Sequence, residues 1–353
     1  MTRLDQIADA IQQQTGIYTN ARSIERIARA LLTETDFWHI IDQSDEVVPI
    51  VAATLEYFKE QGWIHQENDR LTLTPEGKKQ ILDHWKIVRL PDYACRTCDG
   101  RGIDIRRLPE SAVQTFMQIH RERPAAIIDY DQGYITPECT LARVGFAHWK
   151  GDVDHREILV LGDDDLVSLA LCLIGKPRRI TVVEIDERLV QFIQKWAAAF
   201  DFPIEIRHFD LSRPLPDDYL HRFDTFLTDP PESIVAFRAF VGRGIAALKG
   251  PGCVGYFGFT RREATLKKWH HIQSYLVQQN VAITDVLHNY HAYVNWDYAP
   301  NTRAWQLAPV KKAPDIHWYR SSLYRIETLH GHLGEVDTEF DIRAFNDKEA
   351  STT

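Results

Sequence analysis

From residue 155 onward the chain alternates short apolar runs with helical ones, and this alternation constrains its fold more than any other feature. Residues 157–161, 179–184, 204–209, 223–228 and 253–259 read as strands. Residues 166–174, 187–200 and 233–248 read as helices between them. Such alternation implies parallel strands joined by crossover helices, so the expected class is α/β with a doubly wound, Rossmann-like sheet. Ligands of such sheets bind beyond the carboxyl ends of the strands, near the point where strand order reverses. The informative residues are those that follow each strand.

Carboxylates occupy those positions. Gly162-Asp163-Asp164-Asp165 follows the first strand and Glu184-Ile185-Asp186 ends the second. The second set lies at about the 20-residue spacing at which a carboxylate takes ribose hydroxyls in nucleotide-binding units. Asp210 follows the third strand and Asp229-Pro230-Pro231-Glu232 the fourth. An Asp that caps a helix contributes about 1 kcal/mol, which accounts for one Asp after Gly162 and could account for Asp186. Pro230-Pro231 could simply start a helix. Capping does not account for the whole set. Two carboxylates about 4 Å apart repel by roughly 4 kcal/mol at an effective dielectric of 20. A fold keeps such a cluster with a cationic guest, a metal or shifted pKa values.

Residues 1–90 read differently. Apolar helical faces at Ile7/Ala10/Ile11 and Ile24/Ile27/Ala28/Leu31, a helix over 48–61 and a hairpin over 63–73 resemble a winged-helix domain. Residues 1–87 hold 9 basic and 14 acidic residues, a net of −5, and the third helix carries Glu56, Lys59 and Glu60. A DNA reader needs a basic surface, so a packing or dimerisation module is the expectation. The whole chain agrees: 41 basic and 50 acidic residues leave −9, and no nucleic-acid partner is expected. No apolar run reaches the roughly 18 residues of a membrane helix. The polar start and the odd count of five cysteines point to the reducing cytoplasm. Residues 91–154 form a linker and cap segment. Cys95 and Cys98 within it make half of a four-ligand zinc site, which a homodimer could complete, or else a turn with two free thiols. Residues 155–330 are the expected catalytic domain. Residues 331–353 are polar and expected to be mobile.

Strand, glycine turn, acidic residue after strand two and Asp-Pro-Pro after strand four resemble the S-adenosylmethionine-dependent methyltransferase fold. Methyltransferases keep an open glycine loop for the donor's carboxylate; here three Asp residues stand there and would repel it. Decarboxylated S-adenosylmethionine lacks that group and carries an ammonium and a sulfonium, both positive. Such donors transfer aminopropyl groups to polyamines. Asp-Pro-Pro resembles the Asp-Pro-Pro-aromatic motif of enzymes that alkylate exocyclic amines, with Glu232 in place of the aromatic.

Gly162-Asp163-Asp164-Asp165, Asp229-Pro230-Pro231 and the run Tyr130-Asp131-Gln132-Gly133-Tyr134-Ile135-Thr136-Pro137-Glu138 together resemble the branched-chain polyamine synthase family, the N4-bis(aminopropyl)spermidine synthases. The resemblance implies transfer of aminopropyl groups from decarboxylated S-adenosylmethionine to the central nitrogen of spermidine, with release of 5′-methylthioadenosine and no prosthetic group. It places Asp163 beside the reacting amine as the group that orients and deprotonates it, and Asp229 as a second catalytic candidate gripping the polyamine with Pro230 and Glu232. It gives the donor Gly162, Asp164, Asp165, Glu184 (ribose hydroxyls), Asp186, Asp210 (adenine) and Gln132. It brings Asp131, Tyr134 and Glu138 to the acceptor from the cap segment. Trp296 and Tyr298, flanking Asp297, could hold ammonium groups by their ring faces. The acceptor must attack as a neutral amine, so an alkaline optimum is expected.

Three other readings fit parts of the pattern. An amine or nucleic-acid N-methyltransferase fits Asp-Pro-Pro but not three Asp residues. A winged-helix regulator sensing a small molecule fits the front domain's shape but not its charge. A divalent metal at Asp163–Asp165 would make activity sensitive to chelators.

Overall fold

The structure, a computed structural model, describes residues 3–89, 102–130 and 132–352; Cys95, Cys98 and Asp131 lie outside them. Four helices open the chain: α1 (Arg3–Thr15), α2 (Ala21–Ala30), α3 (Phe37–Ser44) and α4 (Val48–Glu60). The hairpin β1 (Ile64–Glu67) and β2 (Arg70–Leu73) and the short α5 (Pro75–Lys79) follow. Asn20 caps α2 by accepting from the Ser23 amide, and Ile24, Ile27 and Ala28 turn inward. Helix α3 is an addition to the expected set. It spans eight residues with five of them buried, too crowded a pattern to display one helical face. Gly62 stops α4 in the left-handed region at φ +70°.

α4 precedes the hairpin, where a base-reading helix would lie, yet its Val48, Ile50, Val51 and Leu55 are buried. They share one apolar core with Ile135, Cys139, Tyr293, Trp296 and Trp318 from the rest of the chain. Ion pairs close the same junction. The buried Arg262 guanidinium pairs with Asp42 and Asp45, and Arg261 lies 3.3 Å from Glu46. The front domain is thus continuous with the body in its packing.

Helices α6 (Glu110–Arg121) and α7 (Pro137–Trp149) lead into the sheet. Its elements are β3 (Glu157–Leu161), α8 (Val167–Ile174), β4 (Arg179–Glu184), α9 (Glu187–Phe200), β5 (Ile204–His208), β6 (Thr225–Thr228), α10 (Ile234–Phe237), α11 (Arg243–Ala247), β7 (Val254–Phe259), α12 (Leu266–Gln278), β8 (Val281–Ala292), α13 (Arg303–Leu307) and β9 (Arg320–Thr328). The strand order is β5-β4-β3-β6-β7-β9-β8, with β3 to β7 parallel and β9 antiparallel to both neighbours. The expected Rossmann-like sheet is present. Its order reverses between β3 and β6, which puts the Gly162 turn and the Asp229 turn side by side.

The last two strands were not among those expected. β8 carries two irregularities, between Ile283 and Asp285 and between Leu287 and His291, which break the alternation that marks a strand. The helix expected over 233–248 is α10 and α11 joined by one π-helical turn, Arg238–Gly242. Such turns are common at functional sites, and this one carries Phe240 to the cleft.

The C-terminal residues correct another expectation. Instead of a free tail, 331–352 form a strap across the body. Glu335 pairs with Arg238 at 2.8 Å. Arg243 donates to the Thr338 carbonyl at 2.7 Å. The Glu263 carboxylate accepts from the amides of Ser351 and Thr352 at 2.6 and 2.7 Å. Partners on the body, Arg243 and Glu263 among them buried, satisfy these polar residues, and composition alone does not reveal such partners.

Candidate active site

Two joined cavities lie at the carboxyl ends of the parallel strands. The larger, about 210 Å³, has Glu184 and Asp210 on one wall and apolar Ile128, Phe240, Ile342 and Phe345 around it. The smaller, about 40 Å³, is lined by Pro230, Glu232, Tyr293, Trp296, Tyr298 and Tyr319. Asp164, Asp229 and Pro231 line both. Among the described residues no Lys, Arg or His lines either cavity.

The three Asp residues after Gly162 diverge. Gly162 turns at φ +71°, the left-handed conformation that Gly adopts without strain. Asp163 then points away from both cavities. Fully buried, its carboxylate accepts from the Ser168 amide and hydroxyl. It therefore holds the start of α8 and lines neither cavity, so the structure does not bring it to the position expected for it. Burial pushes its carboxyl up to about 8. Asp164 is the one of the three that lines both cavities. Burial and then the neighbouring Asp165 charge push its carboxyl well above the usual range, while Arg123 opposes them. Arg123 Nε also donates to the Asp164 carbonyl at 2.7 Å, fixing the turn. Asp165 faces inward, 3.0 Å from buried Arg143, and accepts from the Ile135 amide at 2.8 Å. It ties the cap segment to the sheet and does not line the donor cavity. The three carboxylates share no common ligand point.

Of the residues expected to meet the donor, Gly162, Glu184, Asp210 and Gln132 also line the larger cavity. Glu184 accepts from the amides of Asp163, Ile185 and Asp186 at 2.8 to 2.9 Å and still lines the cavity. Burial raises its carboxyl. Asp210 lines the cavity and accepts from the Ser212 amide at 2.8 Å. Gln132 lines it too, donating to Asp186 at 2.7 Å. Asp186 itself caps α9, accepts from the Arg188 amide at 2.9 Å and does not line the cavity.

Pro230 and Glu232 line the smaller cavity. Trp296 and Tyr298 stack with centroids 5.8 Å apart and planes 11° apart, and Tyr298 Oη donates to the Gln132 carbonyl at 2.7 Å. Asp229 is held from behind by the Tyr293 hydroxyl. Burial raises its carboxyl to about 7, against the lowering charge of Arg143. Two expected residues are elsewhere. Tyr134 lies under the Arg123 guanidinium at 3.7 Å, so it supports the Asp164 turn. Glu138 is exposed in the first turn of α7, whose cap is Thr136.

Sequence reasoning missed Tyr293, Tyr319, Phe240, the strap residues Ile342 and Phe345 that line the larger cavity, and Thr352, which lines the smaller. Ile342 and Phe345 carried a faint signal as isolated apolar residues in a polar tail. Tyr293 and Tyr319 carried none beyond residue type.

The family model described as the branched-chain polyamine synthase A C-terminal domain matches residues 111–352. N(4)-bis(aminopropyl)spermidine synthase of Thermococcus kodakarensis is 46% identical over 351 residues, 99% of each chain. The protein of the same name from Methanocaldococcus jannaschii is 42% identical over 353 residues, 99% of this chain and 100% of that one. The crystal structure of the branched-chain polyamine synthase from Thermus thermophilus, in complex with N4-aminopropylspermidine and 5′-methylthioadenosine, superposes with a TM-score of 0.92 at 39% identity, covering 99% of this chain and 98% of that one.

Proposed function

The chain belongs to the branched-chain polyamine synthase family, and from that premise we propose how its two cavities work. The enzyme transfers aminopropyl groups from decarboxylated S-adenosylmethionine to the central secondary nitrogen of spermidine. The products are N4-aminopropylspermidine, then N4-bis(aminopropyl)spermidine, each with 5′-methylthioadenosine. The observation that carries this reading is the absence of any lining Lys, Arg or His among the described residues, beside five lining carboxylates: Asp164, Glu184, Asp210, Asp229 and Glu232. A donor bearing a carboxylate finds no cationic partner among the described lining residues, while a sulfonium, an ammonium and a polyamine all find anions.

In the larger cavity Glu184 takes the ribose hydroxyls and Asp210 the adenine, beside the edge-to-face pair of Phe240 and Phe345. The aminopropyl arm runs toward Asp164 and Asp229, the residues common to both cavities. In the smaller cavity Glu232 and the stacked Trp296 and Tyr298 hold the polyamine arms. The central nitrogen then faces the donor's methylene carbon next to sulfur. Its lone pair forms the new N–C bond. The C–S pair returns to sulfur, which leaves as a neutral thioether. In the first transfer the amine proton passes to Asp229 and Asp164 holds the nitrogen in line. In the second a tertiary amine attacks, and its proton must leave beforehand. Orientation of this kind and a placed base supply the rate.

The front domain serves as a packing module: the buried face of α4 and the Arg262–Asp42 pair support that role. No helix among the described residues is long and apolar enough to cross a membrane. The test is mass spectrometry of the full chain incubated with spermidine and decarboxylated S-adenosylmethionine, with S-adenosylmethionine in parallel. One or two aminopropyl units on the central nitrogen are expected. Growth at a terminal nitrogen would make the enzyme a linear aminopropyltransferase. Methyl transfer alone would overturn the reading.

A further inference from the structure

Behind Asp229 a row of buried polar groups runs from the acceptor cavity into the sheet. The Tyr293 hydroxyl donates to Asp229 Oδ2. It lies 3.1 Å from Ser321 Oγ, which lies 2.9 Å from His291 Nδ1. His291 in β8 and Ser321 in β9 are register partners, so strand pairing fixes that link. Asp229 has a made-to-fit seat. A Cβ on Gly258 of β7 would stand 1.9 Å from Asp229 Oδ1 and 3.0 Å from Ser321 Oγ, and the Gly258 amide donates to the carboxylate. Packing does not call for these groups, because apolar groups of matching shape fill buried space at nearly neutral cost.

We propose that His291, Ser321 and Tyr293 form a positioning chain that aims Asp229 at the acceptor nitrogen and keeps it ionised to receive the proton. The inference rests on the reading of Asp229 as proton acceptor. Tyr293 spends its one O–H on Asp229, so its oxygen accepts from Ser321, and Ser321 accepts from His291 Nδ1–H. Every donor then points toward the carboxylate. When nitrogen attacks carbon and the C–S pair returns to sulfur, the N–H proton goes to Asp229, and the chain's own protons stay where they are. His291 and Ser321 act through Tyr293; Tyr293 also borders the cavity. Asp229 is faced by Arg143 of α7 and by Asp165 and Asp164 from the Gly162 turn. Tyr293 is faced in addition by Glu232 and by the Tyr319 ring at 4.9 Å, and His291 by the Tyr290 ring at 5.3 Å.

The test is kcat and KM against pH in the full chain. Asp229→Asn is expected to lose transfer by on the order of 10²-fold or more, as for a general base. Tyr293→Phe keeps the ring. It is expected to lower kcat about tenfold or more at neutral pH, leave the donor KM unchanged and move the acidic limb to higher pH, because a lost hydrogen bond to the ionised form raises a carboxyl pKa. Ser321→Ala and His291→Leu should shift the limb in the same direction by less. His291→Asn, which keeps an N–H near Nδ1, should restore wild-type behaviour. An unmoved limb and unchanged kcat in folded Tyr293→Phe and Ser321→Ala would overturn the chain while leaving Asp229 as the base. An active Asp229→Asn would instead overturn the reading beneath it.

Discussion

The two cavities are held by different means. On the side read as the donor's, the carboxylates are seated on backbone: Glu184 accepts the amides of Ile185 and Asp186 and, from the turn after the neighbouring strand, that of Asp163, and Asp210 accepts the Ser212 amide. On the acceptor side the key groups are held largely by side chains and by residues remote in sequence. Tyr293 donates to Asp229, Tyr298 to the Gln132 carbonyl, and Tyr319 to Glu263 at 3.1 Å. A backbone seat follows from the strand-to-helix turn and persists under most substitutions. A side-chain seat depends on the identity of a distant residue. The donor site is therefore a property of the sheet, and the acceptor site a property of assembly, drawing in β8, β9, the strap and the core of the front domain.

The sharpest way to break this comparison is at Asp164, which belongs to both sides. Asp164→Asn removes a charge from each cavity without removing bulk. Transfer is expected to fall by on the order of 10³-fold, the scale of a lost orienting or proton-handling group. Circular dichroism should show an intact fold. A loss under tenfold would return the first Asp of the run to consideration. Next in size is the strap. Removing 341–353 takes Ile342 and Phe345 from one cavity and Thr352 from the other, so both KM values should rise, by roughly tenfold or more each, on the scale of buried apolar contacts. A rise in only one would show that the strap serves a single substrate.

A paired substitution sharpens the difference between the sides. Glu184→Gln should raise the donor KM and leave the acceptor KM nearly unchanged. Trp296→Phe, which keeps a smaller ring, should raise the acceptor KM by about two- to tenfold, the worth of a weakened cation–π contact. Crossed effects would mean that the two guests share their binding groups.

The same contrast explains what could be read beforehand. Glu184, Asp210 and Asp229 were legible because parallel strands deliver their next residues to one edge, whatever the side chains do. The division of labour within Asp163-Asp164-Asp165 was not. Which of three consecutive residues faces a cleft depends on the φ of Gly162 and on Ser168, Arg143 and Ile135, partners 5 to 30 positions away. Tyr134 misled for a related reason: beside a presumed cleft an aromatic reads as a binding face, and here it underlies Arg123. The edge strand β8 was hidden by its irregularities, and the strap by polar residues whose buried partners lie elsewhere in the chain.

The smallest expected effect concerns Asp163, and it separates support from chemistry. Asp163→Asn leaves both cavity walls intact, so kcat should stay within a few-fold of wild type. Stability should respond instead, in a pH-dependent way. Burial raises the Asp163 carboxyl to about 8, far above its unfolded value of 3.8. The folded state then binds a proton that the unfolded state has released. Stability from this group is complete below the unfolded value and is lost as pH climbs toward 8. The amide does not titrate, so it carries no such loss. The difference in Tm, variant minus wild type, should therefore rise steadily between pH 4 and pH 8 and level off above. At low pH the variant should be the less stable, because the amide replaces a helix-capping carboxyl; capping groups contribute about 1 kcal/mol. Thermal unfolding across that range decides it. A flat difference would mean that Asp163 is ionised in its buried seat and that the repulsion in this turn is relieved by Arg123 and Arg143 alone. A large fall in kcat at unchanged Tm would move the chemistry back from Asp164 to Asp163.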